Sequence, residues 1–278
     1  MKAAQARVLL TGAGGGIGQA VADTLAGAGA ALMLAGRSPA RLSAQARALK
    51  QRMPGAQVDW HEADLQHAPS IASLALQAET WNCNVVIHCA GVAEFGRFEE
   101  TGTAAMSRVL NTNLLAPMML TQSLLPHLRG QAVAQVICVG SVLGAIALPG
   151  FSVYCASKFG LRGFAQALRR EMADTPVRVQ YLGPRTTRTA FNTADVDHYN
   201  RATGTAMDPP ERVARALLEM LEAGTAERFL GFPEKLAARI NGLAPALLDG
   251  AFTQHRRSLP APAPIHHNPS TQEMKNAH

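Results

Sequence analysis

Aromatic residues are scarce in this sequence: Phe, Trp and Tyr together account for 5% of its 278 residues. Surfaces that grip nucleic acid interleave such rings with clustered basic side chains. The net charge of +6 would otherwise invite that reading. Yet only five of the 26 basic residues are Lys, and no basic run exceeds a pair, as in Arg169-Arg170 and Arg256-Arg257. Scattered guanidinium groups suit an anionic small molecule or an acidic carrier, so nucleic acid is not an expected partner. Cysteine is equally sparse. Cys83, Cys89, Cys138 and Cys155 form no C-x-x-C pair, which points to reduced thiols in a cytoplasmic protein rather than a redox or zinc motif. His266-His267 stand in a Pro-rich stretch without companion ligands, so no metal site is expected. No run of about eighteen apolar residues suggests a membrane span, and MKAAQARVLL lacks the apolar core of a signal peptide.

What is present is apolar content in a regular order. Hydrophobic residues make up 47% and charged ones only 17%, enough to fill a sizeable core. Short apolar runs alternate with longer segments of helical period, the pattern of a parallel sheet covered on both faces. The expected strands are Arg7–Thr11, Ala31–Ala35, Gln57–Trp60, Val85–His88, Val133–Val139, Arg178–Leu182 and Arg228–Leu230. Helices are expected near 16–28, 39–52, 68–79, 103–128, 152–173 and 209–222. Asp208 is placed to cap the last of these, with Pro209 and Pro210 in its first turn. Residues 1–232 therefore read as one α/β domain with a doubly wound, mostly parallel, seven-stranded sheet. Residues 233–257 read as a helical extension with Leu236, Ile240, Leu243 and Leu247 on one seam and a break at Pro245. Residues 258–278 read as a flexible tail.

The segment V-L-L-T-G-A-G-G-G-I-G-Q-A closes the first strand and opens the first helix. Glycines there let the backbone turn sharply against a pyrophosphate, whose charge is met by free N–H groups at the helix N-terminus. Its spacing, T-G-x-x-x-G-x-G on Thr11, Gly12, Gly16 and Gly18, resembles the short-chain dehydrogenase/reductase family in its single-domain, Rossmann-like branch. With Ile17 these residues are the expected phosphate cradle. In dinucleotide folds an acidic residue about twenty positions on accepts from the adenosine ribose. Gly36 stands there instead, followed by Arg37, whose guanidinium suits a 2′-phosphate. NADPH is therefore favoured, with NADH left open, and Ser38 is a candidate second contact to that phosphate. The resemblance further implies Asp64-Leu65 near the adenine and Ala90-Gly91 along the adenosine. Where the family reads N-N-A-G, this chain has His88-Cys89-Ala90-Gly91.

Tyr154 and Lys158 stand one helical turn apart and share a face. Neither of the other two Tyr residues, Tyr181 and Tyr199, has a Lys four positions on. Ser141 precedes Tyr154 at the family's separation, and Asn113 in N-T-N-L-L matches its N-L motif. The resemblance implies that Ser141 and Tyr154 polarise a substrate carbonyl and that Tyr154 donates the proton. It also implies that Lys158 holds the nicotinamide ribose and relays protons through a water near Asn113. A free Tyr has a pKa of about 10, which the Lys158 ammonium is expected to lower. Pro184 and Thr189 match a P-G-x-x-x-T motif beside the nicotinamide, with Arg185 in place of the Gly.

The implied activity is reduction of a ketone or aldehyde, of 3-oxoacyl type in one version. The alternatives are an NAD-dependent alcohol dehydrogenase of the same family and a cofactor-sensing scaffold without turnover. Residues 190–207 fall where the family carries a substrate lid, with Phe191, His198, Tyr199 and Met207 as candidate pocket residues. The apolar seam after Phe232, with Arg239, Arg256 and Arg257, would cap an acyl chain or rest on an anionic membrane surface. Packing as an extra helix on the domain or a second copy is the simpler reading. Helices 103–128 and 152–173 are the surfaces through which the family usually pairs, so a homodimer or homotetramer is expected.

Overall fold

A computed structural model of the chain describes residues 1–232 and 234–261, without the side chains of 234–236, 247 and 248. The apolar runs become strands β1 (Arg7–Thr11), β2 (Ala31–Gly36), β3 (Val58–Glu62), β4 (Val85–His88), β5 (Ala134–Val139), β6 (Val177–Gly183) and β7 (Glu227–Phe229). Between the first five lie α1 (Gly16–Gly27), α2 (Pro39–Arg52), α3 (Ala68–Thr80), α4 (Thr103–Leu110) and α5 (Ala116–Arg129). Then come α6 (Ser152–Glu171), α7 (Ala194–Thr203), α8 (Pro210–Ala223), α9 (Glu234–Leu243) and α10 (Thr253–Arg257).

All seven strands pair in parallel in the order β3-β2-β1-β4-β5-β6-β7. Successive side chains of a strand point to opposite faces, so each strand feeds two cores. Val8, Leu10, Leu32 and Ile87 meet Leu25, Leu217 and Met220 from α1 and α8. On the other face Leu9, Val86 and Val136 meet Leu74, Leu120, Leu124 and Leu161 from α3, α5 and α6. Each such fully buried aliphatic side chain stabilises the fold by about 1.5–3 kcal/mol. The chain winds from β1 outward to β3, then returns to place β4 on the other side of β1. That reversal leaves a crevice at the carboxyl ends of β1 and β4, where α/β sheets bind their ligands.

Four local features differ from expectation. The helix read over 103–128 is two helices joined by a π-helical turn, Asn111–Leu115. Asp208 does not cap α8: Pro209 occupies the cap position, and the buried Asp208 carboxylate lies 2.8 Å from both Arg185 and Arg212. The stretch 190–207 carries α7, capped by the Thr193 hydroxyl, which accepts from Val196 N, and closed by Gly204 in the left-handed region. The extension does break at Pro245, where a 3-10 segment, Pro245–Phe252, separates α9 from α10. Its packing face, however, is small: Ala237 and Ala238 sit against Ala145 and Ile146, while Leu243 is 88% exposed. Leu236 and Leu247 of the expected seam lie outside the described side chains.

The extension is nonetheless tied to the domain. Asn241 donates to the Ala145 carbonyl and Gln254 to that of Ala202. Leu259 packs with Phe95 and Phe151, and Arg97 Nε donates to Pro260 O at 2.8 Å. The start of the expected tail is thus docked, and residues 262–278, with His266 and His267, lie outside the described residues. No helix among the described residues is long and apolar enough to cross a membrane.

Candidate active site

A cavity of about 1130 Å³ opens at the carboxyl end of the sheet, along the reversal between β1 and β4. The turn after β1 forms one wall. Gly12 takes φ +67°, and a Cβ there would sit 2.6 Å from Ala90 Cα. A Cβ on Gly18 would strike the Gly12 carbonyl, so the turn and the first helical residues close up only because both are glycine. Thr11 fastens the neighbouring strand: its hydroxyl donates to Ile87 O and accepts from Cys89 N and Ala90 N. Gly16 and Ile17 line the same wall, with the Thr189 methyl pressed against Gly16.

Arg37, Ser38, Asp64, Leu65, Ala90, Gly91 and Pro184 also face the cavity. Ser38 is the N-cap of α2, accepting from Arg41 N, so its hydroxyl is already committed to the helix. Asp64 pairs with His67 at 3.1 Å and accepts from Gln66 N. Arg41 stands in the wall beside Arg37, a second guanidinium that no motif in the sequence marks.

At the inner end Ser141, Tyr154 and Lys158 converge. Ser141 stands two residues past β5, as the cap of a 3-10 turn at Val142–Gly144, and its Oγ accepts from Leu143 N at 3.0 Å, which leaves the hydroxyl proton to be donated elsewhere. Beneath it, Tyr181 of β6 donates to the Ser141 carbonyl at 2.8 Å and accepts from the Ser141 N–H at 3.1 Å. The Tyr181 ring occupies the space where side chains on Gly140 and Gly144 would stand. Tyr154 and Lys158 occupy one face of α6, and the Lys158 ammonium lies 5.7 Å from the Tyr154 ring centre. Burial pushes the Tyr154 phenol above its ordinary pKa, against a smaller downward pull from Ser141. The lowering expected from Lys158 is not found; desolvation sets the direction. Burial also draws Lys158 down to about 8, and Nζ donates to Val139 O at 3.2 Å.

Asn113 does not line the cavity. It sits buried in the π turn, where Oδ1 accepts from Val92 N and Nδ2 donates to Val92 O and Ser157 Oγ. Ser157 in turn donates to Tyr154 O. The amide thus couples the strand-end loop to the helix that carries Tyr154.

The sequence profile of the short chain dehydrogenase family matches residues 6–200. The chain belongs to the short-chain dehydrogenase/reductase family. It is 31% identical over 257 residues to dehydrogenase/reductase SDR family member 7B of Bos taurus, covering 86% of this chain and 78% of that protein. Among solved structures it is similar to a short-chain dehydrogenase from Sphingobium yanoikuyae in complex with NADPH, at 26% identity and a TM-score of 0.75, over 91% of this chain and 98% of that one. It is also similar to an alcohol dehydrogenase of the archaeon Thermococcus sibiricus complexed with 5-hydroxy-NADP, at 26% identity and a TM-score of 0.71, over 80% and 94% of the two chains.

Two departures from the usual short-chain dehydrogenase pattern find a structural account. His88 is buried, with Nε2 2.8 Å from the Thr121 hydroxyl, and burial lowers its pKa to about 4, so β4 is braced to α5 by a neutral imidazole. Cys89 shares the cavity wall, and burial raises its thiol to about 12, which keeps it protonated. Arg185 turns to Asp208, tying the segment after β6 to the start of α8.

Of the four candidate lid residues, Phe191 and Tyr199 line the cavity, whereas His198 and Met207 do not. His198 is exposed, on the outer side of α7. Phe151, Val196, Asn200, Phe232, Phe252 and His255 line it as well, and sequence reasoning missed them as site residues. Only the 3.6 period of α7 hinted at this, since 196, 199, 200 and 203 share one face. Among the described residues no cluster of His, Cys, Asp or Glu is placed to hold a metal ion.

Proposed function

We propose that the protein is an NADPH-dependent reductase of a ketone or aldehyde, with Ser141, Tyr154 and Lys158 as its catalytic residues. The observation that carries this reading is that these three side chains face the same cavity as the glycine turn and Arg37. The residues present suit such a cofactor. The closed-up turn at Gly12 and Gly18 leaves main chain, not side chain, facing the space before the N-terminus of α1, where a pyrophosphate is favoured. Arg37 and Arg41 have no ion-pair partner among the described residues, and together they suit a 2′-phosphate that a carboxylate would repel. NADPH would supply the hydride that no side chain can.

The chain itself supplies orientation and the proton. Ser141, with its lone pair engaged by Leu143 N–H, donates its hydroxyl proton to the substrate carbonyl oxygen and polarises it. Tyr154 is fully protonated at neutral pH because burial raises its pKa, so the acid is loaded before reduction begins. As the alkoxide forms, the phenol proton passes to it. Lys158, titrating near pH 8, stabilises the phenolate left behind and passes a proton back to it. A dimer or tetramer through α4, α5 and α6 accords with Leu110, Met118 and Phe159, which stand exposed on those elements.

The test is oxidation of NADPH, followed by absorbance, across a panel of ketones and aldehydes. Wild type is expected to turn over at least one carbonyl class, and Tyr154→Phe to lose about 10²- to 10⁴-fold in kcat. A panel without turnover, with NADPH bound normally, would overturn the reading.

A further inference from the structure

Between β6 and α8 the chain leaves the sheet and returns to it through a narrow neck. Residues 188–207, which carry α7, stand between Thr187 and Asp208, and those two residues pair as an isolated parallel bridge. Asp208 N donates to Thr186 O at 2.8 Å, and Arg188 N donates to Asp208 O at 2.9 Å. The Thr187 hydroxyl donates to Arg185 O at 3.0 Å. Across the same neck runs the ion pair of Arg185 with Asp208, whose side chains are only 15% and 3% exposed.

A carboxylate as deep as that of Asp208 needs a cationic partner to stay charged. It has two, and they are not equivalent. Arg212 stands four residues on, at the start of α8, and is 49% exposed, so its bond is local to one helix and open to water. Arg185 belongs to the segment where the lid leaves the sheet, and Asp208 to the one where it returns. Of the two ion pairs, only theirs joins the ends of the lid. Glycine, which the family pattern has at this position, could make no such bond.

What lies beyond the neck is wall of the cavity. Thr187, Thr189, Phe191, Val196 and Tyr199 line it. The Thr189 methyl stands 2.5 Å from where a Cβ on Gly16 would be, and the Phe191 ring lies 6.2 Å from that of Tyr154. Val196 packs in one cluster with Phe151 and Tyr154. The lid thus touches both the glycine turn and the helix of the proposed acid. With its neck bonded shut, the entropy of fixing that wall is lost on folding and not again when a ligand enters.

We propose that Arg185 and Asp208 form a latch that fixes the lid over the cavity before any ligand arrives. This goes beyond the reductase reading and does not rest on it, since the latch is readable without cofactor or turnover.

The test is limited trypsin digestion of the ligand-free full chain, with cleavage after Arg188 and Arg201 followed by mass spectrometry. Both residues are exposed on the lid, as Arg52 and Arg129 are elsewhere. Trypsin needs an extended segment, so the ratio of lid cleavage to cleavage after Arg52 and Arg129 reports local opening of the lid. Wild type is expected to show a low ratio that saturating NADPH leaves nearly unchanged. Arg185→Gly should raise the ratio at least about tenfold, because it leaves the buried carboxylate with the half-exposed Arg212 alone. Asp208→Asn should do the same, Arg185→Lys should recover part of the protection, and Arg212→Gln should move the ratio less than about threefold. Should Asp208→Asn unfold the chain, Arg185→Gly carries the test, since glycine is the residue that the family pattern accommodates there. An unchanged ratio in Arg185→Gly overturns the latch. So does a wild-type lid that NADPH protects more than tenfold. Failure to reduce any ketone would leave the digestion of the ligand-free chain standing, and an open lid would leave the reductase reading standing.

Discussion

Ser141 is held by its own main chain. Both its N–H and its carbonyl are bonded by one buried hydroxyl, that of Tyr181, at 3.1 and 2.8 Å. The glycines on either side, Gly140 and Gly144, leave room for that ring. Tyr181 therefore acts as a positioning residue for the serine without touching the cavity. Tyr181→Phe keeps the ring and removes the hydroxyl, leaving the buried Ser141 N–H unpaired at a cost of about 1–3 kcal/mol, while the Ser141 carbonyl keeps its bond from the Gly144 N–H at 3.0 Å. We expect kcat to fall roughly 10- to 100-fold, the usual penalty for a small misplacement of a reacting group, with NADPH affinity unchanged. Steady-state kinetics beside a cofactor titration would check this, and an unaltered kcat would mean that Leu143 N–H alone orients the serine. Nothing in the sequence pointed to Tyr181. It sits in an apolar strand, and its partner lies forty positions away, in the turn just past the neighbouring strand. Arg41 was invisible for a similar reason: only the first turn of α2 carries it round beside Arg37.

Elements were legible where hydrophobic pattern alone decides them. The strands β1 and β4 fall on the residues expected, because apolar runs bounded by turn residues have few other uses in a parallel sheet. The boundary between α4 and α5 was not legible. The helical period runs through Asn111–Leu115, and what opens the π turn is the grip of buried Asn113 on Val92 and Ser157. Asp208 misled for the same reason, since a capping residue and a buried ion-pair partner look alike in one dimension. His88 illustrates how a tertiary bond between elements becomes measurable. It ties β4 to α5 through Thr121, and burial lowers its pKa from 6.5 to about 4. Between those values the unfolded chain binds a proton that the folded chain refuses, so stability falls as pH drops from about 6.5 to 4. Over that interval the loss from this one group is about 3 kcal/mol, at roughly 1.4 kcal/mol per pH unit. Asn has no proton to bind, so His88→Asn should unfold with a shallower acid limb. Urea denaturation of both proteins at pH 7.5 and pH 4 measures the difference; parallel losses would show that His88 is not buried neutral.

Seven parallel strands with helices on both faces bring the glycine turn, the two guanidinium groups and the Ser141, Tyr154 and Lys158 side chains to one end of the sheet. A cofactor held in that cavity would couple its binding to folding in one equilibrium. The turn after β1, the ends of β4, β5 and β6, and α6 all contribute to a single cavity, so a ligand there links both halves of the winding. A ligand that binds only the folded chain stabilises it by RT ln(1 + [L]/Kd), about 2.7 kcal/mol at a hundred times Kd. For a chain of this size that corresponds to a rise of roughly 5–10 °C in Tm. NADPH and NADH differ only in the 2′-phosphate, and the groups proposed to sense it are Arg37 and Arg41. Thermal unfolding at equal concentrations of the two should therefore show a Tm several degrees higher with NADPH. The Arg37→Asp variant should lose that excess while keeping whatever NADH provides, because the glycine turn and α1 are untouched. Added salt should shrink the excess in wild type, since the contact is between partly exposed charges. If NADH raises Tm as far as NADPH does, the two guanidinium groups have another purpose and the cofactor preference is lost, while the assignment of Ser141, Tyr154 and Lys158 stands unaffected.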